Sequence, residues 1–107
     1  MDEDRIREIE QRINVIKAAI QKIGPMRPGS LTRQYRNPKE RTGSFWQLSY
    51  TRNMQSRSEY VRKEMVKELR KEIAAYKRFK TLMDEWVDLS IEHSQVRMRL
   101  TRARLSG

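Results

Sequence analysis

Residues 24–63 read GPMRPGSLTRQYRNPKERTGSFWQLSYTRNMQSRSEYVRK, and this stretch decides the fold. It holds all three prolines and every glycine except the terminal Gly107, so it interrupts what is otherwise helical sequence. Three short runs within it, 31–36, 44–51 and about 55–60, read as strands, the second of them rich in the aromatic and β-favouring residues that suit a pleated, half-buried surface. Asn37-Pro38 opens the first connection and Gly43 closes it. Arg52-Asn53-Met54 makes the second, with Asn53 expected at positive φ. The stretch predicts a small three-stranded antiparallel sheet.

Side chains alternate across a strand, so Trp46, Leu48 and Tyr50 fall on one face, with Gln47, Ser49 and Thr51 on the other. Phe45 has the parity of the second set. Leu31 and Tyr35 belong with the apolar set, which leaves Thr32, Gln34 and Arg36 outward. With Tyr60 facing in, Arg57 and Glu59 face out.

Upstream, Ile6, Ile9, Ile13, Ile16, Ile20 and Ile23 recur at alternating spacings of three and four, a heptad stripe made of isoleucine alone. The first helix is expected over 2–23, with acidic Asp2, Glu3 and Asp4 at its positive end and Gly24-Pro25 as its stop. Downstream, Val66, Leu69, Ile73, Tyr76, Phe79, Leu82, Trp86, Leu89, His93, Val96 and Leu100 trace a stripe along a helix over 62–105. Two successive spacings of three at Tyr76, Phe79 and Leu82 break the alternation. Such a slip locally alters supercoiling or marks a change of partner. The first half of this helix is therefore expected on the sheet, and the second half on the first helix or on a second subunit. Because the second helix is far longer than the first can cover, a homodimer is expected through Ile6, Ile9, Ile13, Ile16, Ile20, Leu89, His93, Val96 and Leu100.

The fold class is thus α+β and mostly α: an N-terminal helix (1–23), a basic three-stranded insert (24–61) and a long C-terminal helix with coiled-coil character (62–105). With 107 residues and 36% hydrophobic content, one domain with a thin core is expected. The chain has no cysteine and one histidine, which excludes a disulfide framework and any thiolate or multi-histidine metal site. No cofactor and no small-molecule substrate are expected. The acidic start is unlike a secretory signal and no apolar run approaches membrane-spanning length, so the expected compartment is the cytoplasm, with no membrane partner.

Function is read from charge. The formal net charge is +10, and residues 24–63 carry nine Lys/Arg against two Glu, whereas the helices on either side are close to neutral. A concentrated basic patch attracts polyanions. The expected nucleic-acid contacts are Arg33, Gln34, Arg36, Lys39, Arg41, Phe45, Gln47, Ser49, Arg52 and Arg57. Cations neutralise phosphates, and amides and hydroxyls reach base edges in the major groove. Phe45 is the one candidate for stacking on bases. Arg97, Arg99, Arg102 and Arg104 form a second basic run on the last helical turns, more than helix capping needs. Glu64, Glu68 and Glu72 interleave with Lys67 and Lys71 and read as surface pairs rather than a metal face. No nucleophile, base and orienting group converge, so an enzyme is not expected. The first reading is a non-enzymatic nucleic-acid-binding dimer, with DNA favoured over RNA. The alternatives are a coiled-coil assembly or adaptor protein and an RNA-binding accessory factor.

Gly29-Ser30-Leu31, Gln34-Tyr35-Arg36, Gln47-Leu48-Ser49-Tyr50-Thr51, Ser56-Arg57-Ser58, Tyr60-Val61, Lys63-Glu64 and Tyr76-Lys77-Arg78-Phe79 carry a resemblance over about residues 29–95. On these residues the chain resembles an uncharacterised family of small bacterial and archaeal proteins often associated with mobile elements. The resemblance implies several cysteines and a His-Gly-Pro-Tyr element between the first two strands, the pattern of a metal knuckle. Residues 37–46 of this chain hold neither cysteine nor histidine. Three strands followed by a helix are also similar to the sheet-based DNA-binding domains of plant transcription factors and phage-type integrases, an analogy of fold alone.

Overall fold

In the computed structural model, which describes residues 1–106, helix α1 (Asp2–Gln21) is followed by strands β1 (Ser30–Asn37), β2 (Thr42–Arg52) and β3 (Gln55–Val61). A single 3-10 turn (Lys63–Met65) then leads into α2 (Val66–Ser106). The three strands form one antiparallel sheet in the order β1-β2-β3. The α+β architecture read from the sequence is the one observed.

Packing gathers the chain into two compact units, Gly24–Lys77 and Met1–Ile23 with Arg78–Gly107. The division of α2 falls at the Tyr76, Phe79, Leu82 slip, where the heptad phase changes partner.

In the sheet unit, Arg52 pairs with Gln55, so β2 and β3 are joined by a two-residue turn at Asn53-Met54. Both residues take positive φ, 54° and 64°, as the tight hairpin turn that matches strand twist demands. That turn fixes the register: Tyr50 opposes Arg57, Leu48 opposes Glu59 and Trp46 opposes Val61. Val61 therefore enters the core, and Tyr60 stands on the opposite, open face, 68% exposed. The expected orientation of β3 is inverted, because Val61, one residue beyond the predicted strand, supplies the inward apolar side chain. Leu48, Val61, Leu69 and Ile73 form the core of this unit, flanked by Leu31, Trp46 and Val66. The first turns of α2 thus cover one face of the sheet.

The inward Glu59 is not left alone. Arg27 donates to its Oε1 at 2.6 Å, the Tyr50 hydroxyl donates to the same oxygen at 3.2 Å, and the Arg27 guanidinium lies 5.0 Å from the Tyr50 ring centre. The Arg27 hydrogen bond holds the Glu59 carboxyl below its ordinary range. Across the same face Arg70 lies over Trp46 at 5.2 Å.

In the helical unit, α1 and the distal part of α2 run antiparallel and pair through Arg5 with Glu92 (2.5 and 2.8 Å) and Arg12 with Glu85 (2.6 and 2.9 Å). His93 meets Glu10 at 3.2 Å and Arg99 meets Asp2 at 3.4 Å. Lys17 lies over Trp86 at 5.4 Å. Between these flanking contacts Ile9, Ile16 and Val96 are fully buried, Leu82 nearly so, and Ile6, Ile13, Ile20, Leu89, His93 and Leu100 half-buried. The stripe assigned to an oligomer interface is thus buried within a single chain, because the two helices cover each other. Helix α1 stops at Gln21 with Lys22 as a right-handed cap, and Gly24 does not adopt the positive φ expected of a glycine stop.

Candidate nucleic-acid interface

The open face of the sheet is built by strand parity. Thr32, Gln47 and Tyr60 form one cross-strand row, Gln34 opposes Phe45, and Ser49 opposes Ser58. The result is a face of amides and hydroxyls with one aromatic cluster. Phe45 and Tyr60 lie side by side, ring centres 6.4 Å apart and planes tilted by 33°. Hydroxyls bond each other where strands meet: Ser49 with Ser58 at 3.3 Å and Thr51 with Ser56 at 3.0 Å. Gln34 donates to Thr32 at 3.1 Å. Gln47, in the central strand, makes no side-chain hydrogen bond among the described residues, so its amide is free to read a ligand.

Cations rim this face. Arg36 lies on it, and its stem crosses Gly43, where an added Cβ would sit 3.1 Å from Arg36 Cβ. Lys39 and Arg41 occupy the β1–β2 loop, Arg52 ends β2, and Arg62 and Lys63 follow β3. Of the nine cations in residues 24–63, only Arg27 has a carboxylate partner among the described residues. In the helical unit, by contrast, Arg5, Arg7, Arg12 and Arg99 are all ion-paired. The sheet's charge is therefore left unneutralised by its own protein.

The expected site residues do not all meet. Gln34, Arg36, Phe45, Gln47 and Ser49 share the open face, as read from parity. Arg33 and Arg57 have the opposite parity, opposing Trp46 and Tyr50. Arg33 donates to Ser44 at 3.3 Å and Arg57 to Gln55 at 3.0 Å, so both sit at the edges rather than on the contact face. Arg97, Arg99, Arg102 and Arg104 belong to the helical unit, where Arg99 meets Asp2 at 3.4 Å. Glu64, Glu68 and Glu72 form no ion pair with Lys67 or Lys71 among the described residues; Glu72 instead accepts the Arg27 backbone N–H through its carbonyl at 3.0 Å. Tyr60, on the open face, and Arg62 and Lys63, directly after β3, are the neighbours of this face that sequence reading left out of the candidate site. The turn would have found Tyr60, since a two-residue loop at Asn53-Met54 dictates every pairing of β3.

Among the described residues no group of three or more His, Cys, Asp or Glu is placed to hold a metal ion, and no helix is long and apolar enough to cross a membrane. A family model for a domain of unknown function (DUF6788) matches residues 6–71. The match covers more than half of the chain, which belongs to this family. It takes in most of α1, which the resemblance over 29–95 left out, and ends within α2. Neither the curated proteins nor the solved structures contain a match.

Proposed function

We propose that the protein is a non-enzymatic nucleic-acid-binding module that uses the open face of its sheet. The observation that carries this is the contrast in charge: eight of the nine cations in residues 24–63 lack carboxylate partners among the described residues, while Arg5, Arg7 and Arg12 of α1 are all paired. Leaving that many like charges close together costs stability through repulsion, a cost that phosphates remove. Between the cations lies an uncharged face of Gln34, Gln47, Ser49 and Ser58, the residue types that hydrogen-bond base edges. A small sheet fits the major groove of duplex DNA, and DNA is the first reading. Association with bacterial or archaeal mobile elements, which the sequence resemblance implies, is part of the same proposal.

A second reading rests on one observation, the exposed Tyr60 beside Phe45. Two neighbouring rings on a sheet surface make a platform for unpaired bases, in single-stranded DNA or RNA. Binding of the purified protein to duplex DNA, single-stranded DNA and structured RNA separates the readings. Duplex preference lost in Gln47→Ala supports the first, and single-strand preference lost in Tyr60→Ala supports the second. No binding to any of the three at low salt would overturn both and leave the coiled-coil adaptor.

A further inference from the structure

Along α2 a second apolar stripe runs beside the one that α1 covers. Met83, Val87, Ile91, Met98 and Leu105 follow one another at helical spacings, with the small residues Ser90 and Ser94 among them. Val87 and Ile91 are about half exposed, and Met98 and Leu105 are 61% and 84% exposed. Met83, Val87, Ile91 and the two serines line an open groove of about 500 Å³, with Trp86 and Gln95 at its margins. A contiguous apolar strip of this kind on a small protein marks a contact surface.

The charges beside the strip specify the occupant. On the α1 side of α2 the flanking Glu85, Glu92 and Arg99 are all ion-paired within the chain. On the strip side Asp84, Asp88, Arg97 and Arg102 have no ionic partner among the described residues. They are also segregated, with both acids before the middle of the strip and both arginines after it. We propose that a second copy of the chain covers this face, packed antiparallel about a two-fold axis between Ile91 and Ser94. That arrangement sets Val87 against Met98 of the second copy, Ile91 against its Ser94, and Asp84 beside its Arg102, each contact occurring twice. The acidic half of each helix meets the basic half of the other. Parallel pairing would instead place Arg97 and Arg102 against themselves. Nucleic acid is a poor occupant, because Asp84 and Asp88 repel phosphate.

This inference does not depend on the nucleic-acid reading, and it is tested with the protein alone. Sedimentation equilibrium over a micromolar range should give twice the 12.9 kDa chain mass. Ile91→Asp should weaken association by roughly 100-fold or more, the scale of burying an unpaired charge, while the helical circular dichroism signal persists. Asp84→Arg and Arg102→Asp should each weaken the dimer, and the two together should restore it. Because the chain lacks cysteine, Val87→Cys and Met98→Cys variants mixed under oxidised glutathione should form the mixed disulfide in preference to either like pair. A monomer at every concentration overturns the proposal, as does a dimer that Ile91→Asp leaves intact. Like-pair disulfides from each variant alone overturn the antiparallel arrangement.

Discussion

Gly29 holds φ at +141°, and a Cβ added there would lie 2.7 Å from Leu48 Cδ1 and 3.1 Å from the Ser49 carbonyl oxygen. Leu48 is fully buried at the centre of the sheet core, so it cannot yield without disturbing Val61, Leu69 and Ile73. Gly29→Ala should therefore lower stability by about 1 to 3 kcal/mol, combining backbone strain with overpacking. Gly24→Ala is the control. Nothing lies within 4 Å of its Cβ position and its φ is ordinary, so it should change the urea midpoint little. Met54 poses the reverse case: a fully exposed side chain held at φ 64° in a turn that favours glycine. Met54→Gly should raise stability by about 0.5 to 1 kcal/mol, read as a higher thermal midpoint. If it lowers the midpoint, strain at the turn is not what the hairpin carries.

At the level of elements, apolar periodicity made both helices and the central strand legible, turn residues marked the strands on either side of it, and the slip at Tyr76, Phe79 and Leu82 marked where α2 changes its packing partner. What the sequence concealed was the orientation of β3. Tyr60 and Val61 are both apolar enough to face a core, and only the length of the Asn53-Met54 turn decides between them. The isoleucine stripe was equally plain, but a heptad pattern does not say whether its partner is another chain or the same one. The flanking charges do. Arg5 with Glu92 and Arg12 with Glu85 lock α1 to α2 within the chain, and the arginine hydrogen bonds hold both carboxyls below their ordinary range. A carboxylate whose pKa is depressed by folding contributes stability above the ordinary carboxylate range and loses it as the pH falls through the folded value. Thermal stability should thus decline on going from neutral pH to below about 4, where unperturbed glutamates titrate. The decline should be smaller in Glu85→Gln with Glu92→Gln, and smaller in high salt, since these pairs are solvent-exposed and screened. A melt that does not respond to acid would show that the pairs contribute nothing measurable.

For the whole molecule, the decisive quantity is where the net charge of +10 resides. Arginines already paired with a glutamate of their own chain cannot release counterions from a phosphate without first breaking that pair. Unpaired ones can. The sheet's free cations and the paired cations of α1 should therefore behave differently in the same binding experiment, although composition alone makes them equivalent. For duplex DNA each phosphate neutralised contributes about −0.9 to the slope of log K against log salt, so four or five contacts from this rim imply a slope near −4. Arg36→Ala and Lys39→Ala should each make the slope shallower by about 0.9 while leaving the thermal melt in place. Arg12→Ala should do the opposite, lowering the melt through the loss of its Glu85 partner and leaving the slope unchanged. Tyr60→Ala should weaken binding at every salt concentration without altering the slope, because a ring contacts a base and not a phosphate. If Arg12→Ala and Arg36→Ala shift the slope equally, binding follows total charge rather than the sheet's rim, and the open face of the sheet is not the interface.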